Sequence, residues 1–247
     1  MKTAKISQYV NEILTAVPYI KALGGEHLYM RYKVPGVPEW HPINHGAIEA
    51  LIPFLEHQGL TGSAIPWSDA CLYTHDLDMD MRCYNEWLRS TCDIYTINAW
   101  YYGVYPDMTK EFFYVEPVEQ KDYIAITQTA RYLNKVIDYR ALNDYSCDKI
   151  FIGTESEYNY LHELYYGIAN IEYVPIADFY EASKLIKASK LFISNQTSFA
   201  VIAEGIAHNR ILCVCKDRPN YIMKTPNGRP VLTQRFFEQA IADMTAT

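Results

Sequence analysis

The stretch from Asp178 to Cys215 constrains the fold of this chain more than any other part of it. Apolar residues at helical spacing after Asp178 predict an amphipathic helix over residues 179–189. The short, branched, apolar run Leu191-Phe192-Ile193 then predicts a buried parallel strand. The rest of the stretch comprises a polar turn at 194–198, an apolar helix from Phe199 to Ala207 and a strand from Ile211 to Cys215. Helices and strands that alternate in this way favour a parallel sheet with helices on both of its faces.

The polar turn carries only small hydroxyl and amide side chains, at Ser194, Asn195, Gln196, Thr197 and Ser198. It follows the end of a predicted strand and opens a helix, so backbone N–H groups and the positive end of the helix dipole meet there. A phosphate or diphosphate is favoured at such a point. Helix capping alone is the alternative, because the same residue types are common helix caps.

The second half of the chain resembles the C-terminal half of glycosyltransferase family 9, the heptosyltransferase type. The turn at 195–198 stands where that family has a D-S-G-like turn that holds the donor diphosphate. The run 123–127, followed by Gln128-Thr129-Ala130-Arg131, is similar to the first C-terminal strand of the family and its polar, basic phosphate loop. The run 149–153, followed by Glu155 and Glu157, is similar to its second strand and G-x-x-x-E loop.

The N-terminal segment Asn11 to Gly25 is similar to the family's G-D-x-(apolar)-x-x-x-P opening. Glu12 stands where the family carries the Asp that is its proposed base. Asn-Glu in place of Gly-Asp is a departure, because the side chain is longer by one methylene and the backbone freedom of glycine is lost. The segment 36–117 resembles only a group of short heptosyltransferase-like proteins of bacteria and phages.

This resemblance implies an α/β, GT-B-like fold with two Rossmann-like lobes and a trimmed N-terminal lobe. The chain of 247 residues suits two modest domains, which are predicted at 1–118 for the acceptor side and 119–247 for the nucleotide-sugar side. In the first domain the pattern predicts a helix at 12–22, a strand at 27–32 and a helix at 48–57. A last amphipathic helix at 233–244 is expected to cross back to the first lobe.

The implied reaction is the transfer of a sugar from a nucleotide-diphosphate donor to an acceptor hydroxyl, by direct displacement with inversion. Glu12 is the expected general base, positioned across the cleft between the lobes. Glu157 and Glu204 are candidates for a ribose hydroxyl, although each could also be an ordinary surface charge. The residues expected to hold the diphosphate and stabilise it as it leaves are Thr127, Thr129, Arg131, Asn195, Gln196, Thr197 and Ser198. No metal and no cofactor is expected, because protein donors would neutralise the leaving group.

The acceptor is left open between two classes. The heptosyltransferase resemblance suggests a saccharide, whereas the resemblance to short phage proteins allows a hydroxymethylated base in DNA. The net charge of −7 counts against broad binding to nucleic acid, whose affinity depends on Lys and Arg. Two other functions are also open: a nucleotide-sugar epimerase, and a nucleotide-sugar-binding protein that has lost catalysis.

Three other patterns point only weakly to a site. The run Asp76-Leu77-Asp78-Met79-Asp80 is similar to a metal-binding D-x-D, but in a context that does not suit it. His41 and His45 are four residues apart, but Pro42 argues against a helical pair of ligands. His208 is expected to cap the C-terminus of a helix rather than to do chemistry. The six cysteines show no zinc spacing.

No apolar run approaches the ~18 residues that a membrane-spanning helix needs. No signal-peptide core follows the first residues, Met1 to Lys5. The sequence therefore predicts a cytoplasmic protein without a membrane span.

Overall fold

The computed structural model describes residues 2–6, 10–32, 44–66, 75–76, 94–217 and 223–245. The chain divides into two compact units. The first unit consists of Met1–Asp107 and Asp178–Tyr180, and the second consists of Met108–Ala177 and Glu181–Thr247. The main division between the units therefore lies at 107–108, whereas the sequence analysis places it at residue 118.

The first unit is built on a four-stranded parallel sheet with the strand order β3-β2-β1-β4. Its elements are β1 (Thr3–Ile6), α1 (Val10–Ala22), β2 (His27–Tyr32), α2 (His45–His57), β3 (Thr61–Pro66), β4 (His75–Asp76) and α3 (Ile94–Tyr102). The helices α1 and α2 and the strand β2 confirm the three elements that the sequence predicts in this part of the chain.

Helix α1 buries every residue from Ile13 to Ile20. A helix that is enclosed on all sides needs partners around its whole circumference, and α3 supplies part of that cover. The Tyr19 hydroxyl donates to the Tyr95 carbonyl at 2.6 Å, and the rings of Tyr19 and Tyr102 lie 5.6 Å apart. These contacts hold α3 against α1.

Two of the weaker sequence patterns fall in or near the first sheet. Strand β4 contains Asp76, the first carboxylate of the D-L-D-M-D run, while residues 77–80 lie outside the described residues. His41 lies outside them as well. His45 begins α2, and its Nδ1 lies 3.1 Å from the carboxylate of Glu49 one turn further on.

The second unit is built on a six-stranded parallel sheet with the strand order β10-β9-β8-β5-β6-β7. Its elements are β5 (Tyr123–Thr127), β6 (Asp148–Ile152), α4 (Glu155–Leu164), β7 (Ile171–Val174), α5 (Phe179–Ala188), β8 (Leu191–Ser194), α6 (Ser198–Gly205), β9 (Arg210–Cys213), β10 (Gly228–Val231) and α7 (Gln234–Thr245), and the first two residues of α5 are grouped with the first unit. The strands and helices predicted from the sequence in this part of the chain are confirmed, with small differences at their ends.

Aromatic side chains pack together in the core of this unit. The ring of Tyr139 lies 5.2 Å from that of Tyr165 and 5.4 Å from that of Phe237. Burial in this core raises the pKa of the Cys213 thiol to about 12. Helix α7 buries Phe237, Ala240 and Ile241 in this same core, so its apolar face belongs to the second unit.

Gly205 at the end of α6 allows a close approach of the chain. The N–H groups of Phe112 and Phe113 both donate to the Gly205 carbonyl, at 2.9 and 3.0 Å. A Cβ at position 205 would lie only 2.0 Å from the Phe113 ring. Any side chain at 205 would therefore displace the segment that crosses the end of α6.

Candidate functional site

The order of the strands in the second unit reverses beside β5, and open parallel sheets form a crevice at such a reversal. After β5 the chain forms β6 and β7 on one side of it, and then returns to form β8, β9 and β10 on the other side. Thr127, at the carboxyl end of β5, is paired in register with Ser194, at the carboxyl end of β8. Open parallel sheets bind ligands at such a reversal of strand order, outside the carboxyl ends of the strands. The two polar loops predicted from the sequence, 127–131 and 195–198, leave the sheet at this point.

The side chain of Asn195 joins these two loops directly. Its Oδ1 accepts the N–H of Thr129 at 3.1 Å, and its Nδ2 donates to the carbonyl of Thr129 at 2.8 Å. Asn195 is 1% exposed. The side chain that was predicted to bind the diphosphate is thus engaged with the backbone of the neighbouring loop.

Two more amide side chains connect the strand ends at this edge of the sheet. The Oε1 of Gln196 accepts the N–H of Cys215, just after β9, at 2.7 Å. Asn134, which the sequence analysis missed, donates to the carbonyls of Val214 and Leu232 at 2.8 and 3.2 Å. Asn134 stands in a polar segment after a strand, and that position is the signal that could have identified it. Together with Asn195, these amides tie the loops after β5, β8, β9 and β10 into one surface.

Thr197 begins the helix that opens at this surface. Its hydroxyl accepts the N–H of Ala200 at 3.2 Å, which makes it the N-cap of α6. Ser198, the first residue of the helix, is half-buried. The positive end of the helix dipole therefore lies at the edge of the crevice, where it favours an anion.

The three residues predicted on the β5 loop differ in their exposure. Thr127 is buried, Thr129 is half-buried and Arg131 is exposed. Thr129 is the N-cap residue of the short 3₁₀ helix at Ala130–Tyr132, but its side chain makes no capping hydrogen bond. The guanidinium of Arg131 lies over the ring of Tyr132, 4.9 Å from its centre. Thr129 and Arg131 are therefore the members of this group that present polar side chains at the surface.

Glu157 lies after the carboxyl end of β6, and it forms a capping box with Thr154 at the start of α4. Its Oε2 accepts both the N–H and the hydroxyl of Thr154, at 2.9 Å each. Gly153 provides the space for this carboxylate, because a Cβ there would lie 2.9 Å from Oε2 and 2.8 Å from the ring of Phe151. One oxygen of Glu157 is thus used to begin the helix, which is the structural role that such boxes have.

Glu204 requires a correction to the predicted site. It is 0% exposed, it forms an ion pair with the buried Arg210, and its Oε1 accepts the N–H of Thr225 at 2.7 Å. A carboxylate that is removed from solvent and held in this way has no surface to offer a ribose hydroxyl. The sequence did contain a signal for the pair, because Glu204 is the only Asp or Glu and Arg210 the only Lys or Arg between 199 and 213.

His208 lies beside this pair, and its surroundings differ from those of the charged helix cap that the sequence predicts. Its Nε2 lies 3.0 Å from the hydroxyl of Ser189. Burial and the nearby Arg210 lower the pKa of the imidazole from 6.5 to about 4. His208 is therefore neutral at physiological pH, whereas a cap that acts on the helix dipole would be charged.

This depressed pKa predicts a loss of stability in mild acid. The unfolded chain binds a proton at His208 near pH 6.5 and the folded chain only near pH 4, so stability falls as the pH falls through this window. Urea unfolding should show that the parent protein loses about 2 kcal/mol more than the His208→Gln variant between pH 7 and 4.5. Equal losses in the two proteins would contradict the assignment.

Glu12 lies in the first turn of α1, which follows β1 in the first unit, and it is half-buried. Its backbone carbonyl accepts the hydroxyl of Thr15 at 2.9 Å. The buried Asn98 of α3 donates in turn to the Thr15 hydroxyl at 3.4 Å. Asn98 of α3 thus stabilises the first turn of α1 through Thr15, and this turn carries Glu12.

The described residues contain neither a metal-binding cluster nor a helix that could cross a membrane. No group of three or more His, Cys, Asp or Glu side chains is arranged to hold a metal ion. Within the same part of the chain, no helix has both the length and the apolar character needed to cross a membrane.

No protein-family model matches the chain, and a search of curated proteins finds none that is similar in sequence. Among solved structures, the chain is similar to E. coli ADP-heptose LPS heptosyltransferase II, with a TM-score of 0.59 and 9% identity over 100% of this chain and 99% of that one. The chain has a GT-B-like fold. This confirms the fold that the resemblance implied, two Rossmann-like lobes with parallel sheets.

Two further structures share this GT-B-like fold. One is E. coli heptosyltransferase WaaC with ADP, with a TM-score of 0.53 and 12% identity over 99% of this chain and 100% of that one. The other is the glycosyl transferase family 9 protein from Veillonella parvula DSM 2008, with a TM-score of 0.54 and 9% identity over 99% and 89%. At these identities the similarity establishes the fold, and function has to be argued from the site.

Proposed function

We propose that the protein is a glycosyltransferase that moves a sugar from a nucleotide-diphosphate donor to an acceptor hydroxyl. The observation that carries this proposal is the reversal of strand order beside β5. There the loop with Thr129 and Arg131 meets the N-terminus of α6. The solved structures with the same fold support it, because two of them are heptosyltransferases and one of these contains ADP.

The donor diphosphate would bind at the carboxyl edge of the second unit's sheet. The positive end of α6 favours its negative charge, and Arg131 adds a full positive charge on the neighbouring loop. Groups that are already oriented around the diphosphate stabilise it most as the sugar leaves, because its charge grows at that moment. The half-buried hydroxyl of Thr129 is a further donor for a phosphate oxygen.

The proposed reaction is a direct displacement. The acceptor oxygen forms a bond to the anomeric carbon, the bond from that carbon to the diphosphate breaks, and the configuration inverts. Glu12 takes the proton of the acceptor hydroxyl as a general base. A saccharide is the proposed acceptor, with a hydroxymethylated base in DNA as the other class to test.

Binding of the donor can be measured before the acceptor is known. A ligand that binds only the folded protein raises its stability, by about 2.7 kcal/mol when the free ligand is at 100 times its dissociation constant. We expect one nucleoside diphosphate, and the nucleotide sugars that contain it, to raise the melting temperature by several degrees. A panel in which no nucleotide raises it would overturn the proposal.

Two variants that each add one negative charge test where the donor binds. Thr129→Glu adds a negative charge at the proposed phosphate loop, so it should abolish the rise in melting temperature that the nucleotide causes. Ser146→Glu adds the same charge on an exposed loop just before β6, at the amino edge of the sheet, and it should leave the rise unchanged. Equal effects of the two variants would exclude this edge as the donor site.

Product analysis then separates the proposal from its alternatives. A transferase releases nucleoside diphosphate only when a suitable acceptor is present, and it forms a glycosylated product. A nucleotide-sugar epimerase would alter the sugar of the donor without any acceptor. A protein that binds the nucleotide sugar and leaves it unchanged with every saccharide and DNA acceptor would be the non-catalytic alternative.

A further inference from the structure

The side chain of Asn195 forms the same pair of hydrogen bonds that a neighbouring strand would form. It accepts from the N–H of Thr129 and donates to the carbonyl of Thr129, so the side-chain amide of Asn195 pairs with both backbone groups of Thr129. The last ladder pair between the two strands is Thr127 with Ser194. Asn195 therefore extends the link between β5 and β8 by one step beyond the end of the sheet.

This link lies where the crevice opens. After Thr127 one segment continues to Arg131, and after Ser194 the other continues into α6. The Asn195 side chain is buried, at 1% exposure, and its Oδ1 and Nδ2 are both used by Thr129. It holds the two loops together just beyond the last paired residues of β5 and β8.

We infer that Asn195 is a positioning residue, which holds the Thr129 loop in place for the donor phosphates. This inference rests on the proposed function, and it assigns to Asn195 a role that acts through Thr129 and not through contact with the donor. An amide is required because one atom must accept while the other donates. A carboxylate of the same shape can accept from the N–H of Thr129, but it faces the carbonyl with a second acceptor.

The Asn195→Asp variant turns this requirement into a dependence on pH. Burial raises the pKa of a carboxyl group at this position, whereas the N–H of Thr129 and the positive end of α6 lower it. Above that pKa the ionised side chain repels the Thr129 carbonyl, and the loop is no longer held. Below it the protonated acid has one donor and one acceptor, as the amide has, and the link is restored. The nucleotide itself titrates as well, so each measurement is expressed relative to the parent protein at the same pH.

A matched control lies at the opposite edge of the same sheet. Asn143 also pairs with the backbone through both side-chain atoms, donating to the Gly167 carbonyl at 2.8 Å and accepting from the N–H of Ala169 at 2.7 Å. These residues precede β6 and β7, and therefore lie at the amino ends of the strands. Asn143→Asp makes the same chemical change to a link with the same two hydrogen bonds, at an exposed position far from the crevice.

The experiment measures the dissociation constant of the nucleoside diphosphate that the thermal panel identifies, from pH 8 to pH 5.5. At pH 8, Asn195→Asp should bind it about tenfold more weakly than the parent protein. The reason is that the hydrogen bond to the Thr129 carbonyl is lost and a carboxylate oxygen faces that carbonyl instead. The difference should disappear as the pH falls. Asn143→Asp should match the parent throughout, and Asn195→Ala, which cannot titrate, should bind weakly at every pH.

The amide proton signal of Thr129 in the unliganded protein provides the second measurement. In Asn195→Asp it should titrate, and the nucleotide affinity should change from that midpoint up to about one pH unit above it, because a tenfold difference in affinity raises the pKa of the same carboxyl group by about one unit in the complex. Unchanged affinity at pH 8 would overturn the inference. So would weakened affinity together with a Thr129 amide signal that stays where it is in the parent protein, because Asn195 would then act on the donor directly.

The two proposals fail in different ways in these measurements. If the parent protein binds no nucleotide, the proposed function is overturned and the positioning role falls with it. A titrating Thr129 signal would still show that the link exists as a structural feature. If the parent binds and Asn195→Asp binds equally well at every pH, only the positioning role is overturned.

Discussion

Replacing Glu12 by glutamine should lower the turnover of the sugar transfer by about 10²–10⁴-fold, the usual contribution of a general base. The change keeps the shape and polarity of the side chain but removes its capacity to take a proton. The donor is proposed to bind in the second unit, so the dissociation constant of the nucleoside diphosphate should stay the same. Steady-state rates at saturating donor, combined with binding measurements, test both parts of this prediction.

Two further variants make the test of Glu12 specific. Glu12→Asp restores the carboxylate that the resemblance places at this position, and it should keep much of the turnover that Glu12→Gln loses. Glu49→Gln removes an exposed carboxylate on α2 of the same unit, and it should have no effect on turnover. If Glu12→Gln is as active as the parent protein, Glu12 is not the base.

The parallel sheet of the second unit was predictable because its signals are local. Short apolar runs such as 123–127 and 191–193 are buried on both faces, and polar turns with helix caps separate them. These patterns arise from burial and from the geometry of helix starts, so they can be recognised within a few residues.

Two of the strands that were not predicted from the sequence, β10 and β3, lack those signals. Strand β10 contains glycine and proline, and two of its four residues are exposed at the edge of the sheet. Strand β3 contains Gly62, Ser63 and Pro66 and has no fully buried residue. Both strands are set by pairing with a neighbour that lies far away in the sequence, which composition does not reveal.

The location of the candidate site was predictable, but the role of each side chain was not. The residue types at 195–198 predict the start of a helix. Because this turn follows a strand, it also predicts where the crevice lies. Asn195, however, is committed to Thr129, which lies 66 residues earlier, and nothing near Asn195 in the sequence identifies that partner. A polar side chain in a loop can bind a ligand or another loop, and only the three-dimensional arrangement distinguishes these roles.

The buried pair of Glu204 and Arg210 should have the largest effect on stability. Arg210→Met leaves the Glu204 carboxylate buried without its guanidinium, and it also removes the donors to the Thr225 hydroxyl and the Pro226 carbonyl. Breaking one side of a buried pair costs about 3–5 kcal/mol of unfolding free energy. Arg140→Met, which removes an exposed ion pair with Asp138, should cost far less, because water screens an exposed pair. Urea unfolding of the two variants makes the comparison, and equal costs would contradict the prediction.

Glu204→Gln decides between the structural role of this carboxylate and the ribose-binding role first expected from the sequence. The amide keeps an oxygen for the N–H of Thr225 but loses the charge that balances Arg210. We therefore expect a loss of about 1–3 kcal/mol in stability, because Arg210 keeps the carbonyls of His208 and Pro226 as acceptors. The dissociation constant of the nucleotide, measured well below the melting temperature, should not change. A weaker nucleotide affinity in the folded variant would restore Glu204 to the donor site, whereas an unchanged affinity assigns its carboxylate to the interior of the fold.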